Sequence, residues 1–184
     1  SLEVNGAGVV LTTESVLLNP NRNPGLSREQ AEAVLRAALG VEAVWWLTSG
    51  LPHDDTDGHI DTLTRFVNPT TVVTVLDRDA RSPGHAVLER NRADLARFRL
   101  PDGGRLEIVP LPMPEPIHRP GWRLEVLPAT YANFLIVNGA VLVPTYRQPA
   151  TDREALQRLA ECFPDREVVG LDCRDIVLEG GAPH

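Results

Sequence analysis

The 184-residue sequence contains no lysine, only two cysteines and few aromatic residues, which make up 5% of the chain. Cys162 and Cys173 provide neither a disulfide framework nor metal-ligand spacing, so we expect a reducing, cytoplasmic location. No apolar run approaches the roughly 18 residues that a membrane-spanning helix needs, which argues against a membrane partner. All 18 basic residues are arginine, and we attribute this bias to genome composition rather than to function.

Acidic residues outnumber basic ones, 25 to 18, which gives a formal net charge of −7. Nucleic-acid-binding domains usually carry a basic face, so we expect no nucleic-acid partner. The hydrophobic fraction of 42% is sufficient for a core in a chain of this length. The sequence begins inside a predicted strand and ends in a glycine-containing loop, so we expect a fragment of a longer protein that forms a single domain over 1–184.

A repeated order of predicted elements divides the chain into three units, roughly residues 1–48, 59–111 and 122–172. Each unit has two β-rich runs around a turn, then an amphipathic helix and a hydrophobic strand. The turns contain asparagines that lie 63 and 70 positions apart, namely Asn5, Asn68 and Asn138. One unit cannot bury both faces of its sheet. The pattern therefore predicts an α/β fold in which three units pack around a shared axis.

Local signals place several elements within these units. A capping box of Ser27 with Gln30 predicts the start of the first helix, and Gly40 its end. Five positions form its predicted apolar face: Ala31, Val34, Leu35, Ala38 and Leu39. A short strand is predicted at 15–19, and Thr151 is expected to cap the third helix. The proline-rich segment 110–134 is either a linker or an ordered surface loop, and its embedded apolar residues favour the loop.

The stretch DDTDGHID, residues 54–61, places four carboxylates and an imidazole at the entry to a predicted strand. A metal, a cationic substrate or a solvated acidic loop would each explain it. An EF-hand with Gly58 at its sixth position would begin at His53 and end at Thr64, so two required ligands fail. His53 and His59 alone lack a recognised zinc spacing. We therefore predict no metal, and we favour a solvated loop for Asp54 and Asp55.

His59 and Asp61 have a different interpretation. Residues two apart in a strand share a face, so the imidazole and the carboxylate are predicted to project together. A carboxylate can bind a planar guanidinium through two hydrogen bonds, and a nearby imidazole can act as general acid and base. The carboxylate is also expected to raise the His59 pKa. A purely structural role for the pair remains open from spacing alone.

Four segments, in this order, resemble the agmatine deiminase family and its bacterial-type peptidyl-arginine deiminase relatives: VLTTESVLLNPNRNP, DGHID, YANFLIVNGAVLVP and FPDREVVGLDCRDIVLEGGAPH. Together they spread over essentially the whole chain. The resemblance implies a pentein-like, pseudo-symmetric α/β propeller of five blades. About three of these blades would be present, in the C-terminal part of the enzyme. It also implies a reaction without a metal or an organic cofactor.

The resemblance implies a cysteine thiolate that attacks the guanidinium carbon, releases ammonia and forms a thiouronium, which water then hydrolyses. Agmatine would give N-carbamoylputrescine, on the route from arginine to putrescine, and protein arginine would give citrulline. Matched by motif, His59 is the catalytic acid and base, and Asp61 is a catalytic, guanidinium-binding carboxylate. Asp57 is a further substrate-binding candidate, although we expect it mainly to shape the loop with Gly58.

The nucleophile of the family would follow His184 directly, so this span alone is expected to be inactive. Cys162 and Cys173 are expected to be buried and inert. The structural interpretation is favoured for several other polar or aromatic residues: Asn21, Arg22, Asn23, Trp45, Trp46, Tyr131 and Asn133. The role of His184 in ordering the nucleophile loop stays open. So do a protein-arginine deiminase, a guanidinium-binding module without a nucleophile, a metal-dependent hydrolase and a homo-oligomer. The expected partner is a small guanidino substrate.

Overall fold

Three small sheets of identical topology form the fold. The computed structural model describes residues 1–52, 54–122 and 125–184. In each sheet the first strand pairs with the second in antiparallel orientation, and the third pairs with the second in parallel orientation. A helix makes the crossover that a parallel pair requires. The α/β class follows, while the repeat boundaries predicted above remain a prediction.

The elements of the first sheet are β1 (Glu3–Val4), β2 (Val9–Thr13), α1 (Glu14–Leu17), α2 (Arg28–Leu39) and β3 (Ala43–Leu47). The second sheet follows a 3₁₀ turn (Ile60–Thr62) and contains β4 (Thr64–Asn68), β5 (Thr71–Leu76), α3 (His85–Arg97) and β6 (Glu107–Pro112). The third contains β7 (Leu135–Val137), β8 (Ala140–Thr145), α4 (Pro149–Cys162) and β9 (Glu167–Asp172), with a 3₁₀ turn (Ile176–Glu179) after it.

Helix α2 begins and ends as its sequence predicts. The Ser27 side chain accepts from the Gln30 amide, the Gln30 side chain accepts from the Ser27 amide, and Gly40 ends the helix in a left-handed conformation. The predicted apolar face is wrong in part. Ala31 and Leu35 are buried, but Val34 is 62% exposed. The helix therefore contacts its sheet through a narrower stripe than its composition suggests.

The main hydrophobic core runs through all three sheets, and the central strands β2, β5 and β8 contribute fully buried valines to it. A smaller cluster of Val10, Leu35 and Val41 lies between α2 and its sheet. Trp45 of β3 belongs to this core and stacks on Phe98, with ring centroids 4.9 Å apart. Phe134 meets Phe163 edge to face at 5.9 Å in the third unit. The units are thus packed on one another rather than arranged as separate bodies, as the predicted burial of their faces requires.

A buried ion pair also joins the three units. Arg65 of β4 donates from Nε to Oε2 of Glu3 in β1 at 2.8 Å, and its side chain is 6% exposed. The Arg65 Nη1 donates to the carbonyl oxygen of Phe134 at 2.8 Å. The second Glu3 oxygen accepts from the Phe66 amide at 2.9 Å. This network fixes the segment before β7 against the first two sheets.

Three local predictions are wrong. The segment 15–19, predicted as a strand, instead belongs to α1 and the turn that follows it. Pro20 prevents the short helix from continuing. The sequence YANFLIV, residues 131–137, predicts one strand, but its first four residues are irregular and β7 begins only at Leu135. Thr151 lies inside α4, which begins at Pro149, a residue suited to a first helical turn. Asp152 in the first turn of α4 accepts from the amide of Gln148, the residue before the helix, at 2.8 Å.

The proline-rich segment is an ordered surface loop in its described part. Ile117 and Leu127 are buried, and His118 forms an isolated antiparallel bridge with Val126. The Trp122 indole donates to the carbonyl oxygen of Leu178 at 2.9 Å. Among the residues that the structure describes, no helix is long and apolar enough to cross a membrane.

Candidate functional site

The candidate site is centred on the carboxylate of Asp61, whose side chain is only 13% exposed. Its Oδ1 accepts from the Ser1 hydroxyl at 2.8 Å, and its Oδ2 accepts from Nδ2 of Asn133 at 3.0 Å. Nδ1 of His184 lies 3.0 Å from the same Oδ2. Residues from the start, the middle and the end of the chain therefore converge on one carboxylate.

These contacts determine the charge of Asp61. Burial alone would raise its pKa, but hydrogen bonds from Ser1 and His184 outweigh burial and hold the pKa below the ordinary value. A hydrogen bond to the ionised form favours that form. Asp61 is therefore a largely buried anion at neutral pH, which suits it to a cationic ligand.

The imidazole of His59 lies beside this carboxylate, with Nδ1 3.7 Å from Oδ1 of Asp61. The two side chains converge as predicted, but the predicted strand geometry is wrong. His59 precedes the 3₁₀ turn Ile60–Thr62, and β4 begins only at Thr64. The turn, rather than the alternation of a strand, brings the imidazole to its neighbour-but-one carboxylate.

The second ring nitrogen of His59 has no hydrogen-bond partner among the described residues, although it is buried. Burial lowers the pKa of His59, helped by the positive charges of the Ser1 amino group and Arg22, against the opposing effect of Asp61 and Asp54. The net direction is opposite to the one predicted from the carboxylate alone. A neutral imidazole with a free nitrogen can accept or donate a proton at this point.

Asp54 organises the loop that leads to His59. One of its oxygens accepts from the Thr56 amide at 2.9 Å, and the other accepts from the His59 amide at 3.1 Å. Hydrogen bonding to its own loop is a habit of aspartate in turns. Asp54 thus acts within the protein, in keeping with the local role favoured for it.

Asp57 and Gly58 form a tight bend in the same loop. Both have left-handed backbone conformations, with φ of 71° and 89°. A Cβ on Gly58 would lie 2.5 Å from the Gly50 amide nitrogen, so only glycine fits this approach. The Asp57 carboxylate accepts from Nε of Arg22 at 2.7 Å. The predicted contact between Asp57 and substrate stays a prediction, and in this structure Arg22 binds the carboxylate.

Asn133 is the site residue that sequence reasoning undervalued. Its Nδ2 donates to Asp61, and its Oδ1 accepts from the Ala182 amide at 2.9 Å, so it connects the carboxylate to the segment that ends in His184. The available signal was its place in YANFLIVN, one of the segments that carries the family resemblance.

The remaining candidates lie in packed surroundings. Trp45 and Trp46 are both buried, and Trp46 donates to Glu32 at 2.9 Å. The Tyr131 hydroxyl donates to Asp152 at 2.7 Å, and burial raises the Tyr131 pKa. Burial likewise raises the pKa of both thiols, that of Cys162 and that of Cys173. Neither has the lowered pKa of an activated nucleophile.

No group of three or more potential metal ligands occurs in the described ranges, and His53 lies outside them. A cavity of about 510 Å³ lies between the ends of β5 and β6 and the proline-rich loop. Its lining includes Leu76, Met113 and Leu127 but neither His59 nor Asp61. The polar site around Asp61 is therefore distinct from this mainly apolar cavity.

A largely buried carboxylate therefore lies beside an imidazole whose second ring nitrogen has no hydrogen-bond partner in the described part of the chain. The chain belongs to the Porphyromonas-type peptidyl-arginine deiminase family, whose model matches residues 1–184. This result confirms the resemblance found in the sequence.

Individual relatives agree with this membership. The chain is 41% identical over 202 aligned positions to the agmatine deiminase of Stutzerimonas stutzeri, covering 100% of this chain and 54% of the relative. A crystal structure of a candidate arginine deiminase from Porphyromonas gingivalis is 48% identical, with a TM-score of 0.94, covering 100% of this chain and 53% of the other. A substrate-bound Cys-to-Ser variant of the C. jejuni agmatine deiminase is 33% identical, with a TM-score of 0.91 and the same coverage.

The chain thus spans about half the length of the curated relatives it matches. Its sheets match these deiminase structures along the entire chain, which establishes the α/β fold of the family. The predicted placement in the C-terminal part of the relatives is not supported by these matches.

Proposed function

We propose that this chain contributes the guanidinium-binding carboxylate and the general acid and base of a deiminase, with agmatine as its substrate. The observation that carries the proposal is the contact between an ionised, buried Asp61 and a neutral His59 that retains a free ring nitrogen. The substrate class is supported by relatives named agmatine deiminase at about 40% identity.

Asp61 would bind the planar guanidinium through paired hydrogen bonds, replacing contacts that the carboxylate now makes within the protein. The thiol of a cysteine outside this span would give its proton to the neutral His59 and, as a thiolate, attack the guanidinium carbon to give a tetrahedral adduct. His59 would transfer a proton to the departing nitrogen, and ammonia would leave a thiouronium. His59 would then accept a proton from water as the water attacks. Expulsion of the thiolate gives N-carbamoylputrescine.

The same proposal extends to the assembly and the cell. The three sheets would be three blades of a five-bladed, pseudo-symmetric propeller, and the enzyme would act in the cytoplasm without a metal or cofactor. Its product lies on a route from arginine to putrescine. Asp57 remains a candidate for a second substrate contact, which would require Arg22 to leave its carboxylate.

Protein-arginine deimination is the second candidate, because the matching family is described by that activity. The chemistry at His59 and Asp61 would be unchanged, and the product would be a citrulline residue. An assay of ammonia release from agmatine, free arginine and an arginyl peptide distinguishes the two activities. It requires the protein encoded by the longest reading frame that contains this span.

Binding tests the site residues independently of turnover. Calorimetry on the 184-residue chain should detect agmatine, with binding abolished in Asp61→Asn and retained in His59→Gln. Asp79→Asn, at an exposed carboxylate, is the matched control. In the longest reading frame, His59→Gln should bind but not turn over. Equal affinity in wild type and Asp61→Asn would refute the assigned carboxylate.

Two further results would redirect the proposal. Turnover by residues 1–184 alone would show that the nucleophile lies within this span. Activity that disappears with a chelator and returns with a metal would instead favour a metal-dependent hydrolase.

A further inference from the structure

The turn that contains Arg22 contacts the acidic loop, residues 54–61, just before His59. Nε of Arg22 donates to Oδ2 of Asp57 at 2.7 Å, and Nη2 of the same guanidinium donates to the carbonyl oxygen of Thr56 at 2.9 Å. Arg22 therefore grips both a side chain and the backbone of the acidic loop. Such two-point binding uses the rigid fork of a guanidinium, which a lysine ammonium does not provide.

The backbone that presents Arg22 is itself fixed. The Asn23 amide donates to the carbonyl oxygen of Asn19 at 2.9 Å, and the Asn23 side chain donates to the carbonyl oxygen of Leu17 at 2.9 Å. Arg22 thus projects from a hydrogen-bonded turn at the end of α1. The guanidinium has a firm base from which it can hold the opposite loop.

The gripped loop leads directly to His59. Asp57 has a left-handed conformation that is uncommon for a residue with a side chain, and such conformations persist only where surrounding contacts impose them. Gly58 follows, packed against Gly50, and its carbonyl oxygen accepts from the Thr13 hydroxyl at 2.8 Å. Contacts to Arg22 on one side and to Thr13 on the other, together with the Asp54 carboxylate that accepts from the His59 amide, therefore fix the backbone at His59.

We propose that Arg22 is a positioning residue, which clamps Thr56 and Asp57 and thereby holds His59 against Asp61. The proposal rests on the proposed function for the catalytic part of its meaning. In this role Asp57 acts through Arg22, which is the alternative to the substrate contact for which Asp57 is a candidate. The segments LLNPNRNP and DDTDGHID are thus joined through Arg22, and together they position His59.

The His59 imidazole supplies a readout that does not depend on activity. The charged groups that influence it are Asp61, Asp54, Arg22 and the Ser1 amino group, and burial is the largest effect on its pKa. A loop released from the clamp would expose the ring to water, so the imidazole pKa would move up toward its ordinary value of 6.5. NMR titration of labelled imidazole nitrogens measures this value, with His59→Gln used to assign the resonance.

Arg22→Gln and Arg22→Lys separate a clamp from a simple charge effect. Lysine retains the charge but not the fork, so both variants should raise the His59 pKa if Arg22 is a clamp. Asp57→Asn should raise it as well, and should add little to Arg22→Gln because the two changes break the same contact. Arg81→Gln is the matched control, since it removes an exposed arginine paired with Asp79.

Kinetics in the longest reading frame complete the test. Arg22→Lys should lower kcat about tenfold or more with a smaller change in KM, because a displaced acid or base affects the chemical step more than binding. An unchanged His59 titration in Arg22→Gln, or full restoration by Arg22→Lys, would overturn the clamp. An altered titration without any wild-type turnover would instead reject the proposed function while leaving the clamp intact.

Discussion

Asn133 donates a hydrogen bond to Asp61 across 72 positions of sequence, with 3.0 Å between Nδ2 and Oδ2. The same side chain accepts from the Ala182 amide. One amide group therefore serves both the candidate catalytic carboxylate and the terminal segment that places His184 beside it.

Replacing Asn133 with alanine should weaken the fold and the site together. The Ala182 amide would lose its acceptor and Asp61 one of its donors, at a cost of about 1–3 kcal/mol in the free energy of unfolding. Urea denaturation measures the loss, and carboxyl NMR should show a higher Asp61 pKa. Asn21→Ala, at an exposed position, is the control. Equal effects of the two variants would contradict this role of Asn133.

Acidification should destabilise the chain through His59. Burial lowers the folded-state pKa of His59 below 6.5, so the unfolded chain binds this proton more readily. The stabilising contribution is complete above pH 6.5 and is lost as pH falls through the folded-state value. Measured between about pH 5 and pH 8, the melting temperature should fall less on acidification in His59→Gln than in wild type. His118→Gln, at an exposed position, is the control. If His59→Gln left the pH dependence of the melting temperature unaltered, His59 would not be the source of the acid sensitivity.

Gly58→Ala should be much more damaging than an alanine at another left-handed glycine. Both Gly58 and Gly103 have positive φ, at 89° and 85°, but only the Gly58 Cβ would collide with Gly50. Gly103→Ala meets open space and shows the backbone cost alone. Gly58→Ala should exceed it by about 1–3 kcal/mol, the usual penalty of overpacking. Thermal unfolding of both variants gives the comparison, and similar melting temperatures would exclude the close approach as the cause.

Breaking the buried pair of Glu3 with Arg65 should destabilise the junction of the units. Glu3→Gln leaves the Arg65 guanidinium buried without its counter-charge, at about 3–5 kcal/mol. The combined variant Glu3→Gln with Arg65→Met should cost less than the sum of the single changes, because the charge is also removed. Urea unfolding provides the values, with Arg81→Gln as the exposed control. A loss below about 1 kcal/mol in Glu3→Gln would place this pair with weak surface pairs.

Much of the fold was accessible from sequence wherever a local rule coincided with burial. The capping box at Ser27 and the terminal Gly40 fixed helix α2, and the valine-rich runs gave β5 and β8. The face of α2 was less predictable, because Val34 is apolar yet exposed. Periodicity reports which residues share a face, but not how wide a stripe the neighbouring sheet covers.

The site illustrates a second limit. The contact of His59 with Asp61 was predicted, but from a strand that the structure replaces with a 3₁₀ turn. The contacts of Asp61 with Asn133 and His184 depend on the docking of distant segments, which no local pattern encodes. The direction of the His59 pKa was missed for the same reason. Burial outweighs the neighbouring carboxylate, and burial is a property of the assembled structure.

The arrangement around Asp61 means that the site forms only when the whole chain is folded. Its donors, Ser1, Asn133 and His184, lie before β1, before β7 and after β9, so no single unit can build it. In a partly docked intermediate the Asp61 carboxylate would lack its hydrogen-bond donors, and it would bind a cationic ligand only weakly. Competence should appear only in the last stage of assembly, when all three sheets have closed upon one another.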